Sequence, residues 1–362
     1  MSAAKVYLLA GTYKGAFFFT ADRARKTWSI KGPFLKGVEV NDVMIDTRSK
    51  PTMFACAYST WFGADIRISR DFGKTWREPQ RGIRFAEGSE KKVERVWTVA
   101  SGSANEPSVL YAGVDPGTMF KSEDGGESWK ELTGLTNHST RQKWQPGAGG
   151  LMVHSICIDR ANPRRVYVGI SAAGMFVTEN GGESWEPRNK NVLAEFLPEK
   201  YPEVGQCVHH LEMSPANPSV LYQQNHCGVY RTDDGGKNWV DISKGLPSRF
   251  GFPIIVHPRD PDTIYVIPEE GAEFRAVSGG SFGIYRSRNK GKAWKKLTKG
   301  LPSKHAYAHV YRQATAADQL DRAGLYVGTS NGQIFFSTND GDTWKLLADN
   351  LPPIYSLRTA VL

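Results

Sequence analysis

Six carboxyl groups of this chain could do hydrolytic chemistry. Cleavage of a glycosidic bond needs two carboxyl groups roughly 5 to 9.5 Å apart, one of them protonated and the other ionised. The candidates are Glu39, Asp115, Glu203, Glu269, Glu270 and Glu273. We assign Glu269 or Glu270 as a catalytic carboxylate with a partner such as Asp115, and we place Arg275 beside them as a cationic group. The alternative for Glu269 and Glu270 is an exposed pair of loop residues.

Histidine side chains suggest a second type of chemistry. Imidazole is the commonest transition-metal ligand, and we expect His154, His209 and His226 to share a metal ion, a water or an anion, with nitrogens within about 7 Å. A carboxylate such as Glu269 could complete a site with an open position, which favours metal-assisted hydrolysis or lyase chemistry. No His-x-His or His-x-x-x-His spacing occurs, so the ligands would come from separate segments. A divalent metal ion is the one cofactor suggested, although each histidine could instead be structural.

Binding of a sugar ring calls for flat aromatic surfaces and a few polar groups that orient the ligand. Six residues are assigned to substrate binding: Trp61, Trp144, Asn225, His305, Tyr307 and Arg312. The three aromatic residues among them would stack against the ring, and the other three would form hydrogen bonds.

An eight-residue pattern recurs along the chain and defines the elements that must position these side chains. Its form is Ser/Thr-x-Asp/Asn-x-Gly-x-(small or polar)-Trp, and its clearest copy is 232–239. Five more copies lie at 69–76, 122–129, 178–185, 287–294 and 337–344, and a degenerate copy lies at 20–28. The third residue can cap its own turn, the glycine permits a positive φ, and the tryptophan can bury its ring.

The spacing of these copies predicts the architecture. A period near fifty residues, filled with short alternating strands, is typical of an all-β propeller with four strands per blade. Seven copies predict seven blades in a single domain covering 1–362. The first unit lacks an inner strand, and 354–362 reads as an inner strand without a successor. We therefore expect the C-terminal strand to complete the N-terminal blade, which leaves no open sheet edge.

Such a propeller has two different faces. The repeated turns lie on one of them, called here the box face, together with the turns that follow the inner strands. The opposite crossover face carries the connections between blades and the loops between second and third strands. Asn41, His154, His209 and Phe252 hold equivalent positions near the start of four inner strands. We predict a ligand site on the crossover face, at the mouth of the central channel.

The repeated motif resembles the Asp-box, or bacterial neuraminidase repeat. The resemblance covers the whole chain and implies a β-propeller, but similar repeats occur in sialidases, xyloglucan-degrading hydrolases, sortilin-type receptors and photosystem assembly factors. Sialidases are recognised by a Phe/Tyr-Arg-Ile-Pro motif, which this sequence lacks; 66–69 reads Ile-Arg-Ile-Ser and leads into a box. The chain is more similar to bacterial seven-bladed box proteins labelled glycosyl hydrolase or sialidase-like than to a true sialidase.

Composition limits the partners and the compartment. The net charge of +9 arises from 46 basic and 37 acidic residues, and with no nucleic-acid-binding motif it predicts an ordinary basic surface. No apolar run approaches the length that crosses a membrane. The N-terminal apolar stretch is needed as a strand, so we expect no signal peptide, a cytoplasmic location and four reduced cysteines.

These observations lead to one main hypothesis and two alternatives. The main one is an intracellular hydrolase that acts on a carbohydrate or glycoside-like small molecule in the central channel, through a carboxylate pair. The first alternative is a metal-assisted hydrolase or lyase that uses the channel histidines. The second is a non-catalytic scaffold that binds a partner protein. The sequence does not indicate the oligomeric state.

Overall fold

The computed structural model describes residues 4–362, which form a ring of seven antiparallel sheets, or blades. This confirms the predicted all-β, seven-bladed propeller. Both chain ends contribute to blade 1, whose order from the channel outward is β27, β1, β2, β3. Its strands are β1 (Lys5–Thr12), β2 (Gly15–Asp22), β3 (Trp28–Phe34) and β27 (Ile354–Val361).

The other six blades follow in chain order, each from an inner to an outer strand. Blade 2 contains β4 (Glu39–Asp46), β5 (Thr52–Ser59) and β6 (Gly63–Ser69), and blade 3 contains β7 (Arg95–Ser101), β8 (Leu110–Asp115), β9 (Thr118–Ser122) and β10 (Lys130–Glu131). Blade 4 contains β11 (Val153–Ile158), β12 (Val166–Ile170), β13 (Gly174–Thr178) and β14 (Glu186–Pro187). Blade 5 contains β15 (Val208–Met213), β16 (Leu221–Asn225), β17 (Gly228–Thr232) and β18 (Val240–Asp241). Blade 6 contains β19 (Gly251–Val256), β20 (Ile264–Pro268), β21 (Ile284–Ser287) and β22 (Lys295–Leu297), and blade 7 contains β23 (Thr315–Ala317), β24 (Leu325–Gly328), β25 (Ile334–Ser337) and β26 (Lys345–Ala348).

Blade 2 departs slightly from the predicted four strands. Its fourth strand is reduced to a single antiparallel bridge between Ile68 and Arg77. A short helix, α1 (Thr133–Thr136), lies in the connection from blade 3 to blade 4. Among residues 4–362, no helix has the length and apolar character needed to cross a membrane.

The last strand closes the ring as predicted. Strand β27 pairs antiparallel with β1, in a register that places Arg358 opposite Leu9. Arg358 also reaches across the channel wall to blade 2, where Nε and Nη2 donate to the two carboxylate oxygens of Asp42 at 3.0 and 2.9 Å. Asp42 is fully buried and also accepts a hydrogen bond from the Thr98 hydroxyl of blade 3. These hydrogen bonds therefore connect blades 1, 2 and 3 beside the strand that closes the ring.

The repeated turns have the local structure that their residues predict. In the copy at 122–129, the Ser122 hydroxyl accepts the Gly126 N–H at 2.9 Å, and Asp124 accepts the Ser128 N–H at 2.9 Å. Gly126 has a φ of 89°, and the Trp129 ring is buried. The same hydroxyl-to-glycine contact recurs in the five other complete copies. Each complete copy thus closes the hydrogen bonds of its first and third side chains within its own eight residues.

Candidate functional site at the crossover face

Phe252 lies at the centre of a cluster at the crossover end of the channel. The His209 ring stacks on the Phe252 ring, with centroids 4.3 Å apart, and the His309 ring meets it edge-on at 4.7 Å. The guanidinium groups of Arg312 and Arg275 lie 4.9 and 5.2 Å from the centroid of the same ring. His209 and Phe252, which hold the predicted equivalent positions on adjacent blades, are therefore in contact. The last crossover, which connects β22 to β23, adds His309 and Arg312 to the cluster.

Cys207, His209 and His226 form a group with metal-binding geometry. One ligand atom from each residue lies within 4.8 Å of the corresponding atoms of the other two. The Nδ1 atom of His209 is 2.6 Å from the Gly251 carbonyl oxygen, which can only accept, so Nδ1 carries the hydrogen and Nε2 keeps a free lone pair. Burial lowers the pKa of His209 well below its usual value, and the nearby charge of Arg312 acts in the same direction. His209 is therefore neutral, as a metal ligand must be.

His154 does not belong to this group, which corrects the predicted set of three histidines. Its Nε2 donates to the Val208 carbonyl at 2.9 Å, and its Nδ1 accepts from the Ser155 hydroxyl at 2.9 Å. Both nitrogens of this fully buried ring are thus occupied. The structure assigns the third place to Cys207, which sequence reasoning missed because a single cysteine two residues before a histidine is a weak signal.

Glu269 has a structural role, contrary to its assignment as a free catalytic carboxylate. It is fully buried, and both of its oxygens lie 2.9 Å from Nδ1 of His309. The N–H of Val310 donates to the same carboxylate at 3.0 Å. These contacts fix the end of β20 to the last crossover and set the orientation of the His309 ring. They leave Glu269 without a free oxygen to approach a sugar.

The neighbouring residues of the predicted catalytic loop are exposed. Glu270 accepts a hydrogen bond from the Gly279 N–H at 2.6 Å and otherwise faces solvent, as in the alternative reading of this pair. Arg275 donates to the Ala272 carbonyl at 3.3 Å. Within residues 4–362, neither Arg275 nor Arg312 forms an ion pair. Burial, with a smaller effect of the Arg275 charge, lowers the pKa of Arg312 to about 10.

Asp115 and Glu39 both lie near Arg95, at another sector of the same face. Asp115 ends β8 and pairs in register with Arg95, whose Nη2 is 3.9 Å from the Glu39 carboxylate on blade 2. Burial, assisted by the charge of Glu94, raises the pKa of Asp115 to about 6. Burial also raises the pKa of Glu39, and Arg95 partly offsets this effect. Arg95 therefore acts on both carboxyl groups, Asp115 and Glu39, while Glu94 is the carboxylate whose charge acts on Asp115.

The residues assigned to substrate binding divide into buried and exposed groups. Trp144 is only 4% exposed, and its Nε1 donates to the Thr140 hydroxyl, so its ring packs in the core and cannot stack on a sugar. Asn225 is also fully buried and accepts the Cys227 N–H, so it holds the turn between β16 and β17. Both assignments are corrected because these side chains satisfy the protein interior. The exposed residues of the set are Trp61, His305 and Tyr307.

Aromatic rings form a belt along the channel mouth that the sequence did not reveal. Consecutive members lie 4.3 to 6.3 Å apart between ring centroids: Tyr13, Tyr355, Tyr311, His309, Phe252, His209, His226 and Phe196. Tyr355 lies near Glu39, whose charge contributes to raising the pKa of that phenol. The belt therefore connects the carboxylate sector with the cysteine and histidine group.

A cavity of about 330 Å³ occupies the other half of the channel. It is lined by β11, β15, β23 and β27 and extends to the turn residues Ser214 and Pro215 on the box face. Gln313 bounds it on the crossover side, where its amide donates to the His154 carbonyl. His210, which also lines the cavity, contacts the carbonyl of the neighbouring Arg312. This cavity thus lies away from the predicted face, because the last crossover bridges the channel.

Comparison with known proteins relates the chain to carbohydrate-active enzymes. No protein-family model matches it. Over 218 residues it is 23% identical to the oligoxyloglucan-reducing end-specific xyloglucanase of Emericella nidulans, a match that covers 52% of this chain and 25% of that enzyme. The curated relatives that match are xyloglucanases. The chain spans about a quarter of the length of these relatives.

Solved structures share the fold. An ancestral GH74 enzyme matches with a TM-score of 0.56 and 18% identity, over 86% of this chain and 38% of that chain. YCF48 bound to D1 peptide matches with a TM-score of 0.53 and 14% identity, over 85% of each chain. At these identities the likeness shows the propeller alone.

Proposed function

We propose that this protein is an intracellular hydrolase of a carbohydrate or glycoside-like substrate that binds at the crossover mouth of the channel. The observation that carries the proposal is the pair of half-buried carboxyl groups, Asp115 and Glu39, on neighbouring blades beside Arg95. The similarity to xyloglucanases supports the substrate class. The four cysteines, all free thiols, are consistent with a reducing compartment.

Asp115 has the properties of a general acid. With a pKa of about 6, its carboxyl group stays protonated in weakly acidic solution, where an ordinary aspartate is ionised. Burial raises the pKa of Glu39 and the cationic Arg95 beside it offsets part of this effect, and we assign Glu39 the role of base or nucleophile. The neighbouring belt supplies ring faces on which a sugar can stack, beginning at the half-exposed Tyr13.

Kinetic comparison of carboxamide variants tests this assignment. On a panel of aryl glycosides, aryl glucuronides, phosphorylated aryl glycosides and xyloglucan oligosaccharides, Asp115→Asn and Glu39→Gln should each lower kcat by about 10²- to 10⁴-fold. Glu199→Gln is the matched control, because Glu199 is an exposed carboxylate in the connection from blade 4 to blade 5. Its turnover should equal that of the wild type. Wild-type turnover in both test variants, or no hydrolysis of any panel member by the wild type, would rule out the proposal.

One observation favours the scaffold as a second candidate. Trp61 and Phe62, at the tip of the loop between β5 and β6, are 88% and 84% exposed. Exposed neighbouring aromatics of this size are typical of surfaces that bind a partner. A partner retained from native cytosol by the wild type and lost by the Trp61→Ala/Phe62→Ala double variant would support this function. Absence of a stoichiometric partner would exclude it.

A further inference from the structure

The group formed by Cys207, His209 and His226 has the chemistry of a transition-metal site. A thiol and two imidazoles are ligands that zinc accepts, and three protein ligands leave a fourth position open. Metal–ligand bonds of about 2.0 to 2.3 Å place tetrahedral ligands roughly 3.3 to 3.8 Å apart. The ligand atoms here lie within 4.8 Å of one another, so small side-chain rotations suffice to bring them onto one ion.

The surroundings of the three residues match those of metal sites. His209 Nδ1 donates to the Gly251 carbonyl, which fixes the tautomer that offers Nε2 to a metal. Phe250 packs edge-on against both histidine rings, with centroids 5.2 Å away in each case. His226 belongs to the turn that follows β16 of the same blade, and its backbone N–H donates to the Cys207 carbonyl at 3.0 Å. The ligands are thus held together by a single rigid sheet.

Two arginines without counter-ions lie beside this group. The buried Nε of Arg312 has no hydrogen-bond partner, and its side chain donates to none of residues 4–362. Arg275 lies against the same Phe252 ring and forms no ion pair within that range. A guanidinium withdrawn from water costs free energy unless an anion compensates it. The buried Nε of Arg312 therefore indicates that a ligand supplies the negative charge, and the exposed Arg275 lies on the same Phe252 ring.

We propose that Cys207, His209 and His226 bind one divalent transition-metal ion of the zinc class, and that Arg312 and Arg275 hold an anionic group of a ligand next to it. A carboxylate or a phosphate group provides the required charge and matches the planar guanidinium. If the protein is a carbohydrate hydrolase, its substrate is then an acidic or phosphorylated sugar, and this extension rests on the proposed function. The metal would bind regardless of whether Asp115 is a catalytic acid.

Cobalt titration of the metal-free full chain tests the ion site. The wild type should bind one Co²⁺ per chain with a thiolate-to-metal charge-transfer absorption, and Zn²⁺ should displace it. Cys207→Ser should lose that absorption, and His226→Ala should raise the Kd by about 100-fold or more, since loss of outer-shell partners alone costs about 10- to 100-fold. Cys157→Ser is the matched control, because Cys157 is a half-buried thiol that donates to the Leu211 carbonyl. It should behave like the wild type.

Several outcomes would overturn the ion site. They are no stoichiometric Co²⁺ in the wild type, a charge-transfer band that persists in Cys207→Ser, or unchanged affinity in His226→Ala. If either variant fails to fold, the wild type still decides the question, because an ion that binds the folded state raises the melting temperature. An unchanged melting temperature in excess Zn²⁺ would then refute the site. None of these readouts depends on glycoside hydrolysis.

Calorimetric titration of the zinc-loaded protein tests the anion site with glucuronate, inorganic phosphate and glucose. Binding of glucuronate alone would indicate a sugar carboxylate, and binding of phosphate alone would indicate a phosphorylated ligand. Arg275→Gln should weaken that binding by about 10-fold, because one charge-assisted hydrogen bond is lost. Equal binding of glucose, or no binding of either anion, would overturn this part of the proposal.

Discussion

Asp115 should titrate near pH 6, and this expectation can be measured without a substrate. Burial is the main cause of the raised pKa, and the charge of Glu94 adds to it. With a pKa of about 6, the carboxyl group is about 90% protonated at pH 5 and about 10% protonated at pH 7. Activity that requires the protonated acid should therefore fall about tenfold between these two pH values.

The raised pKa of Asp115 also determines how the free energy of unfolding changes with pH. The folded state binds this proton more tightly than the unfolded state, so protonation of Asp115 stabilises the fold. That contribution is complete below pH 3.8, the ordinary pKa of aspartate, and is lost as the pH rises through about 6. A shift of about two units corresponds to about 3 kcal/mol, which we reduce to about 1 kcal/mol because Asp115 is only half-buried. Asp115→Asn should thus be about 1 kcal/mol more stable than the wild type at pH 8.

Carbon-13 NMR titration of carboxyl-labelled aspartate provides the assay, with the signal assigned by its loss in Asp115→Asn. Two neighbours test the electrostatic part of the reasoning. Glu94→Gln should lower the pKa of Asp115, because it removes a repulsive charge, whereas Arg141→Gln should raise it, because it removes an attractive one. A wild-type midpoint near the ordinary 3.8 would refute the burial argument, and with it the role of Asp115 as the acid.

Two further predictions concern the ring and its turns. Arg25→Met should lower the free energy of unfolding by about 3–5 kcal/mol in chemical denaturation, because it leaves Asp318 buried without the guanidinium that donates to it at 2.7 and 2.9 Å. The exposed neighbour Arg23→Met should change it by less than about 0.5 kcal/mol, and equal losses in the two variants would contradict the argument. Gly126→Ala should cost about 2–4 kcal/mol, since a Cβ there would lie 2.7 Å from a Phe54 ring carbon at a φ of 89°. Gly125→Ala, at a positive φ but with open space around it, should cost about 1 kcal/mol, and an identical melting temperature for the two alanine variants would show that packing is not the cause.

The fold could be predicted from the sequence because its determinants are local. Each repeated turn closes its hydrogen bonds within eight residues, as Ser122 and Gly126 do, so the motif carries its structure with it. Six such turns and one degenerate copy, at a regular spacing, fix the number of blades. The unpaired strand at 354–362 then has one edge left to join, and β27 pairs with β1 as expected.

The tertiary structure decided which polar side chains of the crossover face remain free. Glu269 is separated from His309 by forty residues, and His154 from Val208 by fifty-four, yet each pair is in hydrogen-bonding contact. No sequence pattern links such residues, so two expected functional groups proved to be satisfied parts of the interior. Conversely, Cys207 lies near His226 because β15 and β16 pair antiparallel, which places the start of one strand beside the end of the other. Arg312 lies on Phe252 because the last crossover bridges the channel. Short-range spacing determines the strands and turns of this protein, whereas the availability of a side chain for chemistry depends on neighbours that only ring closure brings within bonding distance.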